Sequence, residues 1–297
     1  MTHGRANTML LAAGAIWGLG FVAQSSAMAH IGPFLFVALR FLLAAATVAP
    51  LALREARSAR TRPLTPSDYC GFAFLGILLC AGSVLQQIGM ETTTVTNAGF
   101  LTGLYVVMVP FLAVILYRQW PHPVVWPCAL SALAGIYLLS GGQLDGLTPG
   151  DWLIVACALF WALQIIFLGP LAARTGRPLM LSLVQFLVCG LASLAIALPL
   201  EPIEPALILA AAPEILFAGI VSSGIGFTLQ AVGQRFTTAP QAAIMLSSEA
   251  LFAALFGTIL LGERMGLRGV AGCALIFIAM IAVELIPALR SREAARP

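Results

Sequence analysis

A 297-residue chain that is 60% hydrophobic and only 9% charged falls well short of the roughly one quarter of charged residues usual in soluble domains. It has too few charges to cover a water-facing surface, which excludes an ordinary soluble protein. All fifteen basic residues are Arg, and the net charge of +3 says little about partners until the charges are placed along the chain.

Apolar runs of roughly 18–23 residues recur from end to end, each long enough to cross a hydrocarbon core of about 30 Å. With breaks at Pro, Gly and charge clusters they give ten expected helices, near 9–28, 33–53, 68–88, 95–117, 122–140, 151–169, 178–199, 211–233, 240–262 and 267–288. The first run reads as a span and not a removable signal peptide, because a second span begins almost at once. The connections leave no room for a soluble domain. A cytoplasmic N-terminus puts Arg5, Arg54, Arg57, Arg60, Arg62, Arg118, Arg174, Arg177, Arg235, Arg290, Arg292 and Arg296 inside. Outside loops would hold Arg264 and Arg268 among Glu91, Asp145, Glu201, Glu204 and Glu263. The excess of Arg in cytoplasmic loops selects that orientation, with both termini inside.

LQQIGMETTT at 85–94 returns as LQAVGQRFTT at 229–238, an offset of 144. The same offset puts Trp17 on Trp161, Asn97 on Gln241, Ala98 on Ala242 and Ile115-Leu116 on Ile259-Leu260, and one residue of slippage brings LRF at 39–41 onto VQF at 184–186. Two copies, 1–144 and 145–297, would each hold five spans. An odd number of crossings turns the second copy upside down, so Glu91 faces outside where Arg235 faces the cytoplasm. Inverted repeats with a substrate site near the midplane are a recurring transporter architecture. The expected fold is therefore an all-α integral membrane protein of ten transmembrane helices in two inverted five-helix repeats.

Residues 246–280, LSSEALFAALFGTILLGERMGLRGVAGCALIFIAM, resemble the end of an EamA domain of the drug/metabolite transporter superfamily. Residues 97–141 resemble the same segment of the first copy, and AIWGLGFVAQ (15–24) and VALRFLLAA (37–45) resemble the family's opening spans. The resemblance implies a ten-helix metabolite carrier, usually an exporter in bacteria, and within the group it is nearest to the YddG-type amino-acid exporters. One departure stands out: Gly262-Glu263 of the second copy is Arg118-Gln119 in the first, so no role of that Glu carries over. The expected function is export of small metabolites, amino acids including aromatic ones, across the bacterial inner membrane by alternating access. Import or exchange of another metabolite or drug, a channel, an intramembrane enzyme and a membrane scaffold are the competing readings.

The six Cys lie inside apolar runs without a CxxC pair, and His3, His30 and His122 are far apart, so neither disulfides nor a metal centre is expected. No nucleophile elbow, P-loop or HExxH appears, which points away from an enzyme and from a cofactor. The expected partners are a small-molecule substrate and membrane lipid, with no nucleic acid, and the protein is expected to work as a monomer.

Polar and aromatic residues within the spans fall on helical faces. Trp17, Phe21 and Gln24 share one side of span 1, as Trp161 and Gln164 do in span 6. Asn97, Leu101, Tyr105 and Met108 form a stripe in span 4 that maps onto Gln241, Met245, Glu249 and Phe252 in span 9. Two such stripes suit a cavity for a neutral, partly apolar solute; the alternative is that they lock helices by interhelical hydrogen bonds. Two ionisable residues sit deep. Arg40 lies about seven residues into span 2, and Glu249 about 13 Å from the cytoplasmic end at 1.5 Å per residue. Arg40 has the option of snorkelling outward. Glu249 is too short for that and is expected to contact substrate, carry a proton or act as a structural acid. Pro110 is the expected hinge, because proline removes a backbone hydrogen bond in span 4.

Overall fold

Helix starts in this chain are written by proline and by short polar side chains. Thr65-Pro66 and Thr148-Pro149 open helices in the same way. Each Thr hydroxyl accepts from the N–H three residues on, and Asp68 and Asp151 return the bond to the Thr N–H at 2.9 and 2.8 Å. Thr238 and Gln241 repeat the arrangement with an amide at 3.3 Å. Proline at the first helical turn loses nothing, because its missing N–H has no intrahelical partner there.

The computed structural model describes residues 2–57, 63–93, 95–118, 120–139, 148–261 and 266–294, without the side chains at 22, 95–97, 139, 253, 254, 257, 258, 260, 261, 284 and 288–294. The helices are α1 (His3–Ala27), α2 (Pro33–Ala56), α3 (Pro66–Gly89), α4 (Val95–Thr102), α5 (Tyr105–Tyr117), α6 (Val125–Leu139), α7 (Pro149–Thr175) and α8 (Pro178–Leu200). After the short α9 (Pro205–Ala210), one rod runs through α10 (Ala212–Leu216), a π-helical stretch (Phe217–Phe227), α11 (Thr228–Gly233) and a closing turn. α12 (Ala239–Leu246), α13 (Ser248–Leu261) and α14 (Leu267–Ala294) complete the chain.

Among the described residues, eight helices are long and apolar enough to cross a membrane. Of the other two expected spans, the one at 122–140 is described as α6 from Val125, after Pro121 and Pro123, as far as Leu139. The span expected at 240–262 is interrupted at Ser247, which divides α12 from α13. The span expected at 95–117 is likewise interrupted, at Gly103-Leu104. These two breaks lie 144 residues apart. Gly262-Glu263, Gln119, Asp145, Arg60, Arg62, Arg264 and Arg296 lie outside the described residues, as do the side chains of Asn97, Arg290 and Arg292.

α2 packs along α8, α6 along α14 and α5 against α12; α3 meets α7 and α8, while the π-helical stretch meets α1 and α2. α1 also packs on α13, and α7 on α4 and α5. Moving every element by one repeat length turns α2 on α8 and α6 on α14 into themselves, exchanges the α3 contacts with those of the π-helical stretch and α1–α13 with α5–α7, and turns α4–α7 into α1–α12; α5 on α12 has no such counterpart. Such reciprocity is the mark of a two-fold relation, in which i touches j and j touches i. Two pairs 144 residues apart touch directly: the Tyr105 hydroxyl donates to Glu249 Oε1 at 3.3 Å, and the Ser131 hydroxyl to the Leu275 carbonyl at 3.2 Å.

The ends of α2 and α8 are clasped to each other. Glu55, near the end of α2, accepts from the Leu179 and Met180 N–H groups at 3.3 and 2.8 Å, in the first turn of α8. Glu201, which ends α8, accepts from Phe34 and Leu35 at 2.9 and 2.7 Å, in the first turn of α2. Each carboxylate satisfies orphan donors and meets the positive end of the helix macrodipole. Glu201→Ala should lower stability by about 1–2 kcal/mol, the range of a lost N-cap. Glu204→Ala, at an exposed residue whose side chain caps nothing, should leave it unchanged. Thermal unfolding in detergent checks the pair.

Candidate functional site

A cavity opens where the two halves meet. It offers about 50 Å³ to the centres of water-sized molecules, several times what one water needs. Five pairs separated by 144 positions line it: Trp17 with Trp161, Phe21 with Ile165, Gln86 with Gln230, Thr102 with Leu246, and Tyr105 with Glu249. Gln24, Arg40, Ser222 and Phe227 complete the wall.

The two indoles are seated in matching ways. A Cβ on Gly226 would lie 2.7 Å from Trp17 Nε1, and one on Gly82 would lie 3.3 Å from the Trp161 ring. Gly82 and Gly226 are themselves 144 apart, so each Trp rests on the glycine of the other repeat. Trp161 stacks on Phe227 with centroids 5.6 Å apart and planes at 18°, and Trp17 approaches the same ring at 4.6 Å. The Trp17 Nε1–H donates to the Ser222 carbonyl at 3.0 Å, within the π-helical stretch. π-helical turns interrupt the i→i−4 ladder and occur often at functional sites.

Arg40 is buried, with its guanidinium held on three sides. Nε donates to the Ser223 hydroxyl at 3.0 Å, Nη1 donates to Gln24 Oε1 at 2.9 Å, and the Phe41 ring lies 4.9 Å from Cζ. It does not snorkel. Glu249 lies in the first turn of α13, where the helix's positive end favours a carboxylate. Arg40 and Glu249 line one cavity but are not ion-paired to each other.

Of the residues singled out from sequence, Trp17, Phe21, Gln24, Arg40, Tyr105, Trp161 and Glu249 come together here. Gln164 stands just behind, accepting from Gln230 Nε2 at 3.1 Å and donating to Gln185 Oε1 at 3.5 Å. Gln241 instead caps α12, Met108 and Met245 pack in the apolar core, and Phe252 stacks on Phe256 at 6.3 Å. The Asn97 side chain lies outside the described residues. α5 continues through Pro110, and the chain breaks at Gly103-Leu104 instead. Gln86, Thr102, Ile165, Ser222, Phe227, Gln230 and Leu246 join the wall without having been expected there. Gln86 and Gln230 carry a signal: they are the polar residue that both copies of the LQ motif retain within an apolar run.

A helical membrane bundle enclosing a largely apolar cavity with a few polar and ionisable groups, between two related halves, defines the class as a membrane transporter. The chain belongs to the EamA-like transporter family, whose model matches it twice, over residues 4–141 and 148–285. It is 30% identical over 273 residues to an uncharacterized transporter of Archaeoglobus fulgidus, covering 91% of this chain and 82% of that one. A second uncharacterized transporter of that organism is 24% identical over 94% of this chain and 98% of its own. A solved crystal structure, 18% identical, superposes with a TM-score of 0.79 over 99% of this chain and all of that one, which shows a shared fold.

The glycine seats can be weighed against each other. Gly226→Ala puts a methyl 2.7 Å from the Trp17 ring nitrogen and should cost about 1–3 kcal/mol, as overpacking does. Gly82→Ala, at 3.3 Å, should cost less than about 1 kcal/mol, partly offset by better helix propensity. Unfolding midpoints and indole emission of the two variants measure the difference.

Proposed function

We propose that this protein exports small metabolites, amino acids including aromatic ones, across the bacterial inner membrane by alternating access between two inverted copies, 1–144 and 145–297. The cavity carries the reading. Its wall draws matched residues from both halves, combines five aromatic side chains (Trp17, Phe21, Tyr105, Trp161, Phe227) with amides, and holds one buried cation and one buried carboxyl group. A solute with an aromatic body and both charges fits that chemistry.

Contacts near the helix ends agree with the grouping of loops onto two faces, and the Arg distribution is what assigns one face to the cytoplasm. Asp68 with Arg174 (3.0 Å), Glu55 with the first turn of α8, and His3 with the Phe236 carbonyl (2.6 Å) join groups assigned to the cytoplasm. Glu201 with α2, Ser26 with Glu214 (2.9 Å) and Thr93 with Asp151 join groups assigned outside. The duplicated family match, the reciprocal packing and the two repeat-related helix breaks support inversion.

The decisive experiment is counterflow of radiolabelled amino acids, tested as a panel, by the purified protein in liposomes. Saturable exchange is expected; flux that does not saturate would make it a channel, and no flux with any amino acid would end the proposal. Trp17→Ala and Trp161→Ala should each lower that exchange at least about tenfold, the loss expected when a large buried aromatic contact is removed. Normal exchange in both would place substrate elsewhere. Single cysteines at Thr92 and Phe236, in a background without native Cys, should react from opposite membrane faces. Labelling of both by one impermeant reagent would sink the inverted arrangement.

A further inference from the structure

We infer that the cavity is polarised, with the guanidinium of Arg40 receiving the substrate's carboxylate and Glu249 receiving its ammonium group. The inference rests on the amino-acid reading above and adds to it the direction in which the molecule lies.

A cation and a carboxyl group in one nonpolar enclosure attract strongly, and leaving either without a counter-charge is costly. Here each is held by neutral groups instead. Ser223 and Gln24 take two of the five guanidinium N–H donors, and Phe36 and Phe41 lie at 5.7 and 4.9 Å from Cζ. Nη2 has no partner among the described residues. These contacts fix the plane of the fork without neutralising it, which suits a guanidinium meant for a planar, bidentate carboxylate.

Glu249 shows the complementary pattern. Oε1 takes one bond from Tyr105 at 3.3 Å, longer than the usual hydroxyl–oxygen bond of about 2.7–2.8 Å, and Oε2 has no partner among the described residues. An ammonium group offers three donors and a positive charge, which answers the open oxygen of Glu249. The stacked Trp161 and Phe227 rings offer a face to an apolar or aromatic side chain.

The two charges are also confined to one copy each. Tyr105 stands at the repeat position of Glu249, and Gln185 at that of Arg40 with one residue of slippage. The scaffold would accept a solute either way round; these two residues set its direction.

The test uses L-phenylalanine counterflow in proteoliposomes, with two competitors that each lack one charged group: phenethylamine, without the carboxylate, and 3-phenylpropionate, without the ammonium. In the wild type each should compete at least about tenfold more weakly than unlabelled L-phenylalanine, as expected for one lost charge-assisted bond. Arg40→Gln should bring phenethylamine to within about threefold of L-phenylalanine and keep the penalty on 3-phenylpropionate; Glu249→Gln should do the reverse. If Arg40→Gln does not fold, Ser223→Ala loosens the guanidinium and should narrow the phenethylamine penalty at least about twofold. Wild-type competition within twofold by either analogue overturns the polarity while leaving amino-acid transport standing, as does an exchange of the two variants' signatures. Absence of saturable flux with any amino acid removes both proposals together.

Discussion

Hydrocarbon offers no hydrogen bonds, so a helix that stops inside a membrane must satisfy its backbone from within. This chain meets that constraint twice, at Gly103-Leu104 and at Ser247, and part of the cavity wall follows directly on each. The ladder tightens instead of opening. Leu104 N–H reaches Leu101 at 3.2 Å, Val106 reaches Gly103 at 3.0 Å, and Ala250 reaches Ser247 at 3.2 Å, all i→i−3 bonds. The Ser247 hydroxyl turns back to the Ile244 carbonyl at 2.7 Å. A cavity side chain emerges immediately after each tight turn: Tyr105 in one copy, Glu249 in the other.

The rest of the wall obeys the same division between shared frame and private chemistry. Tryptophans, glutamines and their glycine seats occur in both copies, so the aromatic and amide surfaces are nearly duplicated. Arg40 and Glu249 occur once each. The repeat supplies the enclosure, and residues that differ between the copies supply its two charges. That separation lets a transporter family keep one architecture while its members handle different solutes.

Much of this is legible in residue patterns. The helix starts, the repeat length, both Trp positions and the two deep charges come from apolar period, proline placement and self-comparison. The stripes through spans 4 and 9 fare differently, and the breaks are the reason. Asn97 to Met108 and Gln241 to Phe252 share a face only if the helix is continuous, and a tightened turn between them shifts the register of every later residue. Hence Tyr105 and Glu249 reach the cavity while Met108, Gln241 and Phe252 do not. Pro110 is a helix breaker by type, yet α5 passes through it and the break sits at Gly103-Leu104, a pair that carries no proline. The cavity-facing Gln86 and Gln230 are visible as a repeated motif, but repetition alone marks kinship between the copies and does not say which way a side chain points.

The reciprocal clasp of α2 and α8 also constrains how the chain is made. The first turn of α2 leaves the ribosome long before Glu201 exists. The interval is 166 residues, or roughly 10–30 s at about 5–20 residues per second. Over that time the Phe34 and Leu35 N–H groups must find water or lipid headgroups, and the helices of the N-terminal half sit in the membrane with their lateral partners still unmade. Once Glu201 arrives, it and Glu55 close both ends of the pair, and the two halves become one folding unit. The N-terminal half is therefore an intermediate in assembly, with its natural ligand being the half synthesised after it.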